Sequence, residues 1–135
     1  MAESLRGLME RLLAAVEAKD LPGVLDLFAD DGVLFDPHYP TPRMVGKAAI
    51  ADGLTWGFGT MKTFGFTIEK FYTGDDGASA AVEVASAHVL NAGMKLNFPQ
   101  AFFMEARDGK VARLQAYEPY GPNGIGGVIL GATRL

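Results

Sequence analysis

The stretch Phe28-Ala29-Asp30-Asp31-Gly32-Val33-Leu34-Phe35-Asp36-Pro37-His38-Tyr39-Pro40-Thr41-Pro42 decides how the rest of the chain is read. Asp30-Asp31-Gly32 is a helix stop, and Val33-Leu34-Phe35 reads as a short apolar strand. Asp36 ends that strand, just before a loop that its prolines stiffen. A carboxylate there lies beside the mouth of whatever the neighbouring elements enclose. Desolvation would raise its pKa and suit it to act as a general base. The same residue also reads as an Asx-turn that holds the loop before Pro37.

Upstream, Leu5, Leu8, Met9, Leu12, Leu13 and Val16 step by three and four, which is one face of a helix. Lys19-Asp20 ends it. Asp20 then caps a second helix that tolerates Pro22 in its first turn and buries Leu21, Val24, Leu25, Leu27 and Phe28. Downstream, Gly46 opens a third, weaker helix through Ala49, Ile50 and Leu54. Its interior carries Gly53, and Trp56-Gly57-Phe58-Gly59 ends it.

From Met61 the pattern changes to strands, at 61–72, 78–90, 94–106 and 110–118. They are separated by Asp75-Asp76-Gly77, Asn91-Ala92-Gly93 and the hairpin signal Asp108-Gly109. In the first of these strands Phe64, Phe66, Ile68 and Tyr72 share a face. Helices first and an antiparallel meander afterwards mean an α+β domain. We expect one domain over residues 1–135, with a core of about 4–118 and an apolar, Gly-rich tail at 119–135. From Gly121 that tail carries Ile125, Val128, Ile129 and Leu130, and it is expected to pack against the sheet or a partner subunit.

Composition narrows the chemistry. The chain has 135 residues, no cysteine and two histidines, His38 and His88, which excludes disulfides, thiolate catalysis and His-rich metal sites. Its net charge of -4 gives no attraction to nucleic acid phosphate. No run of residues is apolar enough to span a membrane, and charges interrupt the N-terminus as no signal peptide would allow. A cytoplasmic protein without cofactor or metal is expected. Carboxylate acid–base work is the chemistry left.

Phe28 to Pro37, then Pro42-Arg43 and Gly46 with Ala49-Ile50, resembles the ketosteroid isomerase group of the nuclear transport factor 2-like superfamily, which also holds the SnoaL-like polyketide cyclases. Arg107-Asp108-Gly109-Lys110-Val111 with Tyr117-Glu118-Pro119 resembles that superfamily's last hairpin. The resemblance implies a cone-shaped, cystatin-like roll, in which a curved antiparallel sheet wraps three helices around an apolar pocket. It also implies frequent dimerisation through the outer sheet face. In the isomerase members the Asp of the matching Asp-Pro pair is the base that moves a proton beside a carbonyl, so Asp36 takes that role here. The oxyanion donors do not carry over. The helix position of the Tyr is Leu12, and the strand position of the protonated Asp falls near Ala101 or Phe102.

Replacement donors are sought in His88 and Gln100, which read equally as a satisfied core histidine and a polar residue of a dimer face. Leu114, Ala116 and Glu118 form the inward set of the last strand. Glu118 then stands at the pocket rim, or exposed at the strand end. Tyr117 alternates with that set and is a further donor candidate. Trp56, Phe102 and Met104 serve as an apolar ligand wall or as plain core. His38 and Tyr39 gate the pocket or lie on the surface. His38 with Asp36 and Glu118 is too small and too loosely specified a set to read as a metal site.

Two function classes follow. One is an isomerase- or cyclase-like enzyme acting on an apolar carbonyl compound. The other is a non-catalytic ligand-binding or interaction module of the same fold. Apolar residues on both faces of strand 78–90 predict a homodimer through the sheet.

Overall fold

Each of the first two helices starts on a side-chain cap. In the computed structural model, which describes residues 4–119, α1 (Leu5–Glu17) begins at Ser4, whose hydroxyl accepts the Gly7 N–H at 3.0 Å. It buries Leu8, Met9, Leu12 and Leu13. Asp20 caps α2 (Leu21–Leu27) by accepting the Gly23 N–H at 3.0 Å, and Pro22 sits in the first turn, where its missing N–H costs nothing.

The helix stop expected at Asp30-Asp31-Gly32 comes earlier, because β1 (Phe28–Phe35) already starts at Phe28. The acids instead swell the strand into an irregularity. Phe28 pairs with Val111 and Val33 with Arg113, so β1 takes five steps where its partner takes two. The extra residues bulge into solvent, where Asp31 meets Arg107 and Asp30 lies 3.4 Å from Lys47.

The remaining elements are β2 (Arg43–Val45), α3 (Lys47–Thr60), β3 (Met61–Thr63), β4 (Phe66–Thr73), β5 (Ser79–Leu90), β6 (Lys95–Arg107) and β7 (Lys110–Tyr117). The sheet order is β2-β1-β7-β6-β5-β3, with β4 also on β5. Every pair is antiparallel except β1–β7, which is parallel because β1 enters from the helices rather than from a hairpin. The result is the expected α+β cone, three helices and a strongly curled sheet, with one mixed pairing in it.

Three local expectations change. Helix α3 runs through Trp56-Gly57-Phe58-Gly59 to Thr60 instead of ending there. Its glycines make room rather than breaking it. A Cβ at Gly57 would meet the Tyr39 hydroxyl at 2.8 Å, and one at Gly53 would overlap the Met44 sulfur.

The strand expected at 61–72 is split at Phe64-Gly65. There Gly65 comes so close to β5 that a Cβ would lie 2.7 Å from the Ala87 carbonyl. Finally, the register of β4 slips between Ile68 and Lys70, so that Phe71 pairs with Val82 and Tyr72 with Ala81. That slip puts Phe71 inward and leaves Tyr72 exposed on the other face, against the expected alternation.

The inner face of β5 carries Ala80, Val82, Val84, Ser86 and His88, all buried. Gln100, Phe102 and Met104 of β6 and Leu114 and Ala116 of β7 continue it. The N-terminal residues 1–3 and the Gly-rich tail from residue 120 lie outside the described residues.

Candidate functional site

Between the helices and the inner sheet face lies a cavity of about 210 Å³. Its helical wall is Leu12, Leu13 and Val16 of α1, Val24 of α2, and Leu54 and Gly57 of α3. The sheet supplies Phe66, His88, Phe98, Gln100, Phe102 and Leu114. The loop after β1 adds Asp36, His38 and Tyr39, and the end of β7 adds Glu118 and Pro119. Among the described lining residues there is no lysine and no arginine.

Asp36 makes the Asx-turn and faces the cavity at once. One carboxylate oxygen, Oδ1, accepts the His38 backbone N–H at 3.0 Å, and the Asp36 N–H donates to the Pro42 carbonyl at 3.0 Å. The prolines and this bridge hold the loop shut on itself. Burial raises the Asp36 pKa, and the His38 N–H and the nearby imidazole oppose that rise.

Glu118 lies across the mouth, its side chain only 10% exposed. Burial and the Asp36 charge push its pKa up to about 7, against the pull of His38. Its two oxygens have different partners. Oε1 accepts from Gln100 Nε2 at 2.9 Å, and Oε2 meets His38 Nδ1. Gln100 Oε1 in turn accepts the Ser86 hydroxyl at 2.8 Å. Tyr39 stands beside both acids. Burial and the charges of Asp36 and Glu118 hold its phenol protonated far above neutral pH.

At the other end of the cavity, His88 Nδ1 accepts the Gly65 N–H at 3.2 Å, which fixes the tautomer with its proton on Nε2. Phe64, Phe66 and Phe98 meet its ring edge to face at 5.2, 5.1 and 5.6 Å. Burial lowers its pKa to about 4, so the ring is neutral at physiological pH.

Of the residues singled out in the sequence, Asp36, His38, His88, Gln100, Phe102, Leu114, Glu118 and Leu12 face this cavity. Trp56, Met104 and Tyr117 do not. Trp56 is 42% exposed and packs behind Tyr39 at 5.3 Å, because α3 continues and turns it outward. Met104 is buried in the core opposite Ala80 and Leu114, beyond the cavity. Tyr117 follows its strand's alternation to the outer face, where it is 52% exposed and packs on Phe103.

Sequence reading gave Ser86 no role of its own. The signal was present: Ser86 and His88 sit two apart on the inward face of a strand whose other inward residues are apolar. Leu12 and Phe102, at or beside the positions where the isomerases keep oxyanion donors, are apolar wall.

Donor atoms of Asp36, His38 and Glu118 lie within 4.8 Å of one another. Of the three, the His38 and Glu118 side chains are in direct contact, and Asp36 accepts from the His38 backbone; we assign no metal to them.

The sequence profile of the SnoaL-like domain matches residues 9–114. The chain belongs to the SnoaL-like domain family. No curated protein sequence matches this SnoaL-like chain. Solved structures do. A candidate polyketide cyclase from Xanthomonas campestris pv. campestris has 22% identity and a TM-score of 0.74, covering 84% of this chain and 89% of that one. A Mycobacterium tuberculosis protein in complex with estradiol-17β-hemisuccinate has 17% identity and a TM-score of 0.75, covering 88% and 95%. A candidate aromatic ring hydroxylase from Novosphingobium aromaticivorans has 24% identity and a TM-score of 0.74, covering 85% and 86%. Three different descriptions on one architecture make this a likeness of fold, and the reaction has to be argued from the site. No described helix of this SnoaL-like chain is long and apolar enough to cross a membrane.

Proposed function

We propose that this SnoaL-like protein is a small-molecule enzyme that moves a proton next to a carbonyl of a neutral, mostly apolar substrate, with Asp36 as general base. The observation that carries the reading is the Asp36 carboxylate at the mouth of an apolar cavity, raised in pKa by burial and faced by proton-bearing groups. The Tyr39 phenol and the Glu118 carboxyl supply hydrogen-bond donors for the developing oxyanion, in place of the donors missing at Leu12 and Phe102. A lining without lysine or arginine favours a neutral ligand over an anionic one. The steroid-bound Mycobacterium tuberculosis relative supports an apolar small molecule as the ligand class.

The test is exchange of α-protons of neutral cyclic ketones into D2O, followed by NMR. Asp36→Asn should slow the exchange by roughly 10²–10⁴-fold, the usual worth of a general base. Exchange at the parent rate in that variant removes Asp36 from the role.

Leu12 and Phe102 favour a second reading, a non-catalytic ligand-binding module of the same fold. It expects Asp36→Asn to leave ligand affinity within a few fold, measured by calorimetry.

The reading extends to a cytoplasmic homodimer. The outer sheet face carries Ala81, Ala85, Ala87, Pro99 and Ala101, and Phe103 and Tyr117 are exposed beside them. Small apolar residues around two aromatic anchors suit a self-complementary interface. A monomer mass by light scattering at micromolar concentration would count against it.

A further inference from the structure

Glu118 is held by a hydrogen-bond chain that runs back into the sheet. The Ser86 hydroxyl donates to Gln100 Oε1, and Gln100 Nε2 donates to Glu118 Oε1. The reverse amide orientation would set the Gln100 carbonyl against the Glu118 carboxylate. In the orientation the structure shows, Oε1 accepts from Gln100, which leaves Oε2, in contact with His38 Nδ1, as the oxygen that gains and loses a proton.

Ser86 and Gln100 are 2% and 7% exposed, on an inner sheet face whose other buried residues are apolar apart from His88. Polar side chains buried there need hydrogen bonds, and these two find them in each other and in Glu118. The other end of the contact is wet: the His38 side chain is 56% exposed.

We propose that His38 and Glu118 form a proton relay from solvent to the cavity, with Ser86 and Gln100 as positioning residues that fix which oxygen of Glu118 carries the proton. The proposal deepens the general-base reading, since it assumes that a proton is moved in this cavity.

The step balances as follows. Glu118 gives its Oε2 proton to the ligand oxygen, which gains an O–H bond while Asp36 takes the proton from carbon and, once the enol leaves, gives it to water. A solvent proton binds His38 Nε2 as the Nδ1 proton crosses to Oε2. The ring then returns to its first tautomer by exchange with water. Asp36 and Tyr39 are the other titratable groups of the cavity at this end, and Glu69, Glu83 and Tyr117 share a second hollow with Glu118. His88 lies at the far end, and the cavity faces of α1, α2 and α3 bring no charged side chain.

The experiment is long-range proton–nitrogen NMR of the full chain, labelled with ¹⁵N-histidine, between pH 5 and 9. In the parent, the His38 nitrogen shifts should step with the ionisation of Glu118. Glu118→Gln should remove that step, and Ser86→Ala and Gln100→Leu should displace it by about half a pH unit or more, with the His88 signals unmoved. His38 shifts identical in the parent and Glu118→Gln would overturn the proposal. So would saturable Zn²⁺ binding to the parent that His38→Gln abolishes, which would make the cluster a metal site.

A second arm uses the ketone exchange. His38→Gln should slow it at least 10-fold, and added imidazole should restore it; a slow variant without rescue overturns the relay. If the parent exchanges no ketone, the general-base reading fails, and the NMR result alone decides the relay.

Discussion

The cavity has two ends, and each holds a histidine. At the mouth, His38 lies half in water and touches Glu118, with Asp36 beside it. At the floor, His88 is enclosed by Phe64, Phe66 and Phe98, and its ring takes one backbone hydrogen bond, from Gly65. Burial drives both ends toward neutrality, raising Asp36 and Glu118 and lowering His88. The difference lies in the partners. The mouth brings two acids, an imidazole and a phenol within reach of one proton. At the floor the ring accepts a backbone N–H, and the neighbouring Glu17 carboxylate is taken by the Phe66 N–H. One environment stores a proton where it can move, and the other holds a ring as a neutral, shaped wall.

The comparison breaks hardest if the ends are chemically interchangeable. With a ketone that the parent exchanges, Asp36→Asn should cost roughly 10²–10⁴ in rate. His88→Gln keeps a polar group at the floor and should cost less than about 10-fold. Equal losses would mean that the floor also does chemistry.

Packing gives the next effect. Gly65→Ala would set a Cβ 2.7 Å from the Ala87 backbone carbonyl, which cannot swing away, and would pull the Gly65 N–H off His88. We expect a loss of about 2–4 kcal/mol in urea unfolding. The mouth ionisations should stay where they are. A shift of Glu118 in that variant would join the two ends through the sheet.

Much of this was legible before any coordinates, for reasons that differ along the chain. The Leu5-to-Val16 periodicity and the Asp20 cap are local signals, and local signals survive into α1 and α2. Asp36 was legible because a strand end followed by Pro37 leaves the carboxylate few places to point. The errors lie where register or close approach decides. The bulge after Ile68 turns Tyr72 outward, which no alternation rule foresees. Gly57 reads as a breaker until Tyr39 is seen packed against it. The Ser86–Gln100–Glu118 chain joins three strand positions whose adjacency depends on the pairing of β5, β6 and β7. A sequence states none of those distances.

The smallest effect carries a sign that separates the two ends. Glu118 rises from an ordinary 4.5 to about 7 on folding. Its contribution to stability is complete below pH 4.5 and is lost as pH rises through about 7. Asp36, also raised, acts in the same direction. His88 falls from 6.5 to about 4, so its contribution is present above pH 6.5 and lost as pH falls through about 4. Glu118→Gln removes the first slope and keeps an acceptor for Gln100. Relative to the parent, that variant should gain stability from pH 5 to pH 8, by on the order of 1–2 kcal/mol after allowance for solvent screening at the mouth. His88→Gln should instead flatten the loss between pH 6.5 and pH 4. Urea titrations at four pH values measure both. Parallel curves for the parent and Glu118→Gln would mean that Glu118 is solvated like a surface acid. The mouth would then hold no stored proton to set against the floor.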